Sequence, residues 1–191
     1  SPAIGMWEFF NEIDNVQHRD RNGVIPAAEI VAWHDQMSVY LKEIDPFDHI
    51  TTTSISHRDL EGLNSVPGLD INQKHIYNAT VSIPNNIRSY SDKFGKAYII
   101  GEFGYEWDWS KNFDDFADGM EMDFRRAFWY GLFSQTSLTP MTWWWEWFDE
   151  HKTIPYMKNA RLISDMMLKA GKGDFQKFET VKHDKAEAYA V

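Results

Sequence analysis

Short apolar segments that alternate with amphipathic ones constrain the fold of this chain most. Five segments are short and rich in β-branched or aromatic residues, which predicts strands. They are AIGMWEFF, HITTTSI, LDINQKHIY, KAYIIGEFG and LTPMTWWWEW. Four longer segments have apolar residues at helical spacing, which predicts helices; they are IPAAEIVAWHDQMSVYLKEI, NNIRSYSDKFG, FDDFADGMEMDFRRAFWYGLFSQ and IPYMKNARLISDMMLKAG.

This alternation is typical of parallel strands joined by right-handed crossovers. The strands recur roughly every thirty to forty residues, which is the repeat length of a (β/α)8 TIM barrel. We therefore predict an α/β chain of the (β/α)8 barrel class. A doubly wound sheet is the structural alternative, but no strand is followed by a glycine-rich nucleotide-binding motif, so nucleotide binding is not supported.

Charge and composition narrow the classes of partner. The formal net charge of −10 argues against nucleic-acid binding, which normally needs basic patches. The chain has no cysteine, which excludes disulfides and thiolate metal sites. No apolar run reaches the length of a membrane span, and no motif predicts a cofactor.

Two glutamates end predicted strands at a spacing that suggests joint chemistry. Glu12 closes the apolar run MWEFFNEID, and Glu102 lies in the strand KAYIIGEFG, ninety residues later. At about thirty residues per βα unit, this spacing is three units, and strands three places apart face each other across an eight-stranded barrel. Two facing carboxyl groups can cleave a glycosidic bond, because their repulsion raises one pKa and provides a proton donor.

Aromatic residues support a carbohydrate ligand. The chain contains nine Trp, eight Tyr and thirteen Phe, and four of the Trp lie between Trp143 and Trp147. Side chains alternate along a strand, so these four Trp residues cannot all face one core. Some of them should line a cleft, where an aromatic face suits the apolar face of a sugar ring.

Four motifs resemble those of clan A glycoside hydrolases, the cellulase-like family 5 enzymes and their relatives. FFNEID resembles the Asn-Glu signature of the fourth barrel strand, and IIGEFG the nucleophile motif of the seventh. HIY resembles the His-x-Tyr pair of the sixth strand, and MTWWWEW the Trp of the eighth. The motifs occur in the family's order from Ala3 to about Gly171, and together they are far more specific than any one of them.

The resemblance implies a role for each matching residue. Glu12 would be the general acid/base and Glu102 the nucleophile of a retaining hydrolase of β-linked gluco- or manno-configured sugars. The remaining matches would bind substrate or orient the carboxylates: Asn11 at the sugar 2-hydroxyl, His75 beside Glu12, Tyr77 on Glu102, and Trp143, with Trp145 as second choice, as the floor of the reacting subsite. A non-catalytic carbohydrate-binding protein on the same scaffold is the alternative of another class.

The resemblance also implies that the chain is an internal piece of a longer one. Residues 1–172 would supply about strands four to eight of the barrel, and residues 173–191 would begin a C-terminal β-sandwich. The expected partners are a carbohydrate substrate and the missing N-terminal part of the barrel, or another chain that completes it. Such enzymes are typically secreted, periplasmic or attached to the cell surface.

Several other polar residues have an ordinary structural interpretation. We expect Asp14, His57, Glu106 and Asp108 to be solvated loop residues, and Glu146 is as well explained by a salt bridge as by a substrate contact. Residues 18–29 match a calcium loop, but His18 replaces its first Asp ligand, and Pro26 with Glu29 equally suits a helix start. We therefore predict no metal site.

Overall fold

The computed structural model describes residues 1–17, 25–106, 112–134, 136, 138–173, 179–184 and 186–190. The described residues are mixed α/β with small sheets, in two compact units. The first unit comprises residues 1–75 and 90–99, and the second comprises residues 76–89 and 100–191. No helix in the described part of the chain has both the length and the apolar character needed to cross a membrane.

The first four predicted strands are confirmed, with shorter bounds. Strand β1 (Met6–Glu8) pairs in parallel with β2 (Ile50–Thr52). Strand β3 (Ser54–Ile55) follows after one residue and pairs in parallel with β4 (Ile71–Tyr77). Strand β5 (Ala97–Gly104) completes a sheet with the order β3-β4-β5. Consecutive strands are thus neighbours, as expected for βα repeats.

The four predicted helices are also present, and a fifth short helix was not predicted. The helices are α1 (Ala27–Ile44), α2 (Ile83–Phe94), α3 (Ala117–Leu132), α4 (Trp145–Glu150) and α5 (Pro155–Gly171). Helix α1 buries a stripe at four-residue spacing, made of Ile30, His34 and Ser38, as an amphipathic helix does. The tail forms an antiparallel hairpin of β6 (Glu179–His183) and β7 (Ala186–Ala190).

The last predicted strand, LTPMTWWWEW, is largely wrong. Residues 141–143 run beside β5, where the Phe103 N–H donates to the Met141 carbonyl and the Trp143 N–H to the Phe103 carbonyl. The only bridge there among the described residues joins Phe103 and Thr142. Helix α4 then begins at Trp145, so Trp145 does not lie on a strand with its side chain on the same face as Trp143. The consecutive α4 residues Trp147 and Phe148 are both buried.

Each unit has its own apolar core. The core of the first unit consists of Ile13, Ile30, Ile55, Leu60, Leu63, Val66 and Leu69. Burying such a side chain stabilises the fold by about 1.5–3 kcal/mol. In the second unit, aromatic rings connect β5 to α3 and α3 to α4. The ring of Phe128 in α3 packs edge-on against Phe103 of β5, with the ring centroids 6.1 Å apart. The ring centroids of Phe124 in α3 and Phe148 in α4 are 4.5 Å apart. These contacts fix the C-terminal end of β5, where Glu102 lies.

Candidate active site

The backbone at Glu12 is held in an unusual conformation by the neighbouring strand. After β1, the Phe9 N–H donates to the Thr52 carbonyl and the Ser54 N–H to the Phe10 carbonyl. The Glu12 N–H then donates to the Ser54 hydroxyl oxygen at 2.8 Å. Glu12 has a φ of 53°, which is disfavoured for a residue with a side chain and costs on the order of 1–3 kcal/mol. Strain of this kind persists only where surrounding contacts enforce it.

Asp14 supplies much of that enforcement, and the prediction that it is a solvated loop residue is wrong. Its relative exposure is 0%. Its carboxylate accepts backbone N–H groups from Ser56 at 2.7 Å, His57 at 3.0 Å and Arg58 at 3.1 Å. Burial by itself would raise the pKa of Asp14, but these hydrogen bonds outweigh burial and hold it below its ordinary value of 3.8. Asp14 therefore pins the turn after Glu12 to the loop after β3.

We expect Asp14→Asn to lower the free energy of unfolding by about 3 kcal/mol at pH 7, because an amide cannot accept all of these hydrogen bonds. The lowered pKa means that the ionised carboxylate stabilises the fold fully above pH 3.8, and that this contribution is lost as the pH falls further. Urea denaturation of both proteins at pH 7 and pH 3 measures the difference. The difference in the free energy of unfolding between the two proteins should be smaller at pH 3 than at pH 7. The exposed Asp35→Asn should show neither the loss of stability nor its dependence on pH.

Two side chains of the first unit contact the Glu12 carboxylate, one at each oxygen. The Nδ1 atom of His75, on β4, lies 2.8 Å from Oε1 of Glu12. The Asn15 amide nitrogen donates to Oε2 at 2.9 Å. The His75 side chain is 2% exposed and that of Glu12 is 24% exposed, so a substrate can reach the carboxylate but hardly its imidazole partner. His75 thus lies beside Glu12, as the resemblance implied.

Glu102 has a corresponding partner within the second unit. The Tyr77 hydroxyl donates to Oε2 of Glu102 at 2.6 Å, which is the bond that the resemblance implied. A hydrogen bond this short to a charged acceptor is among the stronger ones in proteins. It ties one carboxylate oxygen in place and fixes the plane of the group.

A Trp ring lies next to this pair and explains the glycine of the Glu-Phe-Gly motif. A Cβ atom on Gly104 would lie 3.0 Å from Cδ1 of Trp144 and 3.8 Å from Cε1 of Tyr77. The indole N–H of Trp144 donates to the Tyr105 carbonyl at 2.7 Å, which fixes the ring. Trp144 therefore packs closely on the backbone two residues beyond Glu102, and a side chain at position 104 would push it away.

Comparison with solved structures shows proteins of similar fold. The chain matches an endo-beta-1,4-mannanase from Thermotoga petrophila with a TM-score of 0.52 at 18% identity, over 74% of this chain and 35% of that one. It also matches an FMN-binding beta-glucuronidase from Facaelibacterium prausnitzii L2-6 with a TM-score of 0.55 at 17% identity, over 72% of this chain and 22% of that one. Both are TIM-barrel glycosidases. The fold is similar to that of glycoside hydrolases.

The similarity to glycoside hydrolases rests on the comparison of structures alone. No protein-family model and no curated protein sequence matches the chain. The chain spans about a third or less of the length of the two solved structures that it matches. At identities of 17–18% the likeness shows the fold, so activity, substrate and mechanism must be argued from the chain's own residues.

The other predicted site residues are mostly exposed. Asn11 is exposed, with its amide oxygen 3.5 Å from the Ser54 hydroxyl. Trp143 is 47% exposed and Trp145 is 58% exposed. Because Thr142 pairs with Phe103, Trp143 shares the sheet face of Glu102, whereas Trp145 has turned away into α4. That Asn11, Trp143 and Trp145 bind a carbohydrate stays a prediction.

The remaining residues that were given an ordinary structural interpretation fall into two groups. His57, Glu106 and Glu146 are exposed, as expected for His57 and Glu106. Asp108 and most of the candidate calcium loop, residues 18–24, lie outside the described residues.

Glu12, His75 and Glu102 are residue types that bind divalent metals, so metal addition and chelation are suitable controls for any activity.

Sequence reasoning missed two neighbours of the catalytic candidates. Asn15 lies three residues after Glu12, and a short 3₁₀ helix, Ile13–Gln17, brings its side chain back over Glu12. A spacing of three residues is the one that such a helix makes adjacent, so the signal was present. Trp144 was passed over because strand alternation favoured Trp143 and Trp145. Its contact with Gly104 depends on a bend that no pattern in the sequence marks.

Proposed function

We propose that the chain carries the catalytic residues of a retaining glycoside hydrolase. The observation that supports this most is that one strand orients both candidate carboxylates: His75 contacts Glu12, and Tyr77 donates to Glu102. His75 and Tyr77 are two residues apart in the sequence, and both belong to β4. Each carboxylate therefore has an orienting partner within its own unit, which suits a reaction in which two carboxyl groups act in turn.

In this proposal Glu102 attacks the anomeric carbon while Glu12 donates a proton to the leaving glycosidic oxygen. The hydrogen bond from Tyr77 to Oε2 holds the Glu102 carboxylate in position for this attack. A water molecule then gives its proton to Glu12 and its oxygen to the anomeric carbon, which releases Glu102 and retains the configuration. The carboxyl separation expected of this mechanism is about 5–5.5 Å, and a value near 9 Å in a crystal structure would indicate inversion instead.

The substrate class proposed is a β-linked gluco- or manno-configured oligo- or polysaccharide. Asn11 would hydrogen-bond the 2-hydroxyl of the sugar in the reacting subsite, because it precedes the acid/base and its side chain is exposed. Trp143 remains the proposed floor of that subsite, since it is exposed and shares the face of Glu102. Trp145, in α4, would contact only a more distant sugar.

A reducing-sugar assay of the full-length protein on β-glucans, β-mannans and an α-glucan tests the proposal. We expect reducing ends to be released from a β-glucan or a β-mannan and not from the α-glucan, in the presence of a chelator. NMR of the first product should show the β-anomer, because a double displacement retains configuration. Binding to a β-linked polymer without release of reducing ends would favour the non-catalytic carbohydrate-binding protein.

A further inference from the structure

Asn15 contacts the proposed acid/base directly, yet it belongs to none of the motifs that suggested the function. Its Nδ2 donates to Oε2 of Glu12 at 2.9 Å, while His75 contacts the other carboxylate oxygen. An ionised carboxylate only accepts hydrogen bonds, so the nitrogen of the Asn15 amide must face it. The Asn15 amide oxygen points instead toward the Ser56 hydroxyl, at 3.5 Å.

The position of Asn15 is fixed by backbone contacts on both sides. Its N–H donates to the Glu12 carbonyl at 2.9 Å, which closes the first turn of the 3₁₀ helix. The preceding residue, Asp14, is fully buried and anchored by the backbone N–H groups of residues 56–58. Asn15 therefore cannot follow Glu12 if the glutamate rotates, and its amide acts as a fixed reference for the carboxyl plane.

We propose that Asn15 is a positioning residue that orients the Glu12 carboxyl group for proton transfer. This inference rests on the proposed function. An amide does not exchange its proton with a carboxylate, so the bond to Oε2 holds this oxygen as an acceptor in both protonation states. Without the amide, the carboxyl group samples other orientations, and proton donation to the leaving oxygen becomes less frequent.

Substrates with different leaving groups separate this role from a merely structural one. Dinitrophenyl glycosides leave without protonation, whereas phenyl glycosides need the acid in the first step. We expect Asn15→Ala to lower kcat/KM on the phenyl glycoside by on the order of 10-fold, and to leave the first step with the dinitrophenyl glycoside within about 2-fold. Asn85→Ala, an exposed Asn on α2, is the matched control and should change neither.

A second variant covers the case in which Asn15→Ala does not fold. Asn15→Asp has nearly the same shape, keeps the turn, and puts an acceptor where Glu12 needs a donor, so it should show the same leaving-group dependence. Equal losses on both substrates, or no loss on the phenyl glycoside, would overturn the inference. Glu12→Gln is measured alongside: if it shows the leaving-group dependence and the Asn15 variants do not, only this inference fails. If the loss caused by Glu12→Gln does not depend on the leaving group, the proposed acid role of Glu12 is itself contradicted.

Discussion

Replacing Glu102 by Gln should abolish turnover for every substrate of the full-length protein. An amide cannot form the glycosyl ester, so no covalent intermediate forms whatever the leaving group. We expect kcat to fall on the order of 10⁴-fold or more for phenyl and dinitrophenyl glycosides alike. Stopped-assay measurement of aglycone release gives both numbers. Because Gln also accepts the hydrogen bond from Tyr77, the loss should occur without a change in the thermal midpoint.

The matched control is Glu121→Gln, which makes the same chemical change on α3, where Glu121 pairs with Arg125. This exposed pair contributes little, so the control should keep full activity and stability. Residual turnover of Glu102→Gln on the dinitrophenyl substrate at more than a hundredth of the original rate would contradict the nucleophile assignment. A second test is capture of the intermediate: a 2-fluoro glycoside should label the original protein at Glu102 and leave the variant unlabelled.

The part of this site that the sequence predicted well lies on regular strands. Strand β5 was the clearest strand in the sequence, and β4 was predicted from a weaker pattern. Once the strands are set, period-two alternation places Tyr77 and His75 on one face, and the motif order pairs them with Glu102 and Glu12. Local pattern and long-range pairing therefore agree here, which is the condition under which sequence reasoning succeeds.

The part that the sequence did not predict depends on backbone turns. Asp14 looked like a loop carboxylate, yet its burial follows from three N–H groups more than forty residues away, which no local pattern encodes. The Trp run was interpreted as a strand because large aromatics favour strands, but the chain bends after Trp143 and turns into α4. Both errors occur where the chain leaves a strand, and both adjoin the candidate site.

Replacing Glu12 by Gln should divide substrates by leaving group, where Glu102→Gln does not. Gln cannot donate a proton, so kcat on phenyl glycosides and on polysaccharide should fall on the order of 10²–10⁴-fold. Dinitrophenyl glycosides need no protonation, so their first step should proceed and a glycosyl-enzyme should accumulate, because Gln cannot activate water either. We expect the time course of dinitrophenol release to show a rapid burst that is stoichiometric with enzyme, followed by a slow steady state.

Added azide distinguishes this outcome from simple damage to the site. Azide is anionic and nucleophilic without general-base help, so it should speed the slow phase of Glu12→Gln and yield a β-glycosyl azide. In the original protein azide should change little, because Glu12 already activates water and repels an anion. A variant without a burst, with equal losses on both substrate classes and no response to azide, would contradict the acid/base assignment. Gln keeps the shape of Glu12 and can still accept from Asn15, so an unchanged thermal midpoint would show that such a result does not come from a rearranged turn.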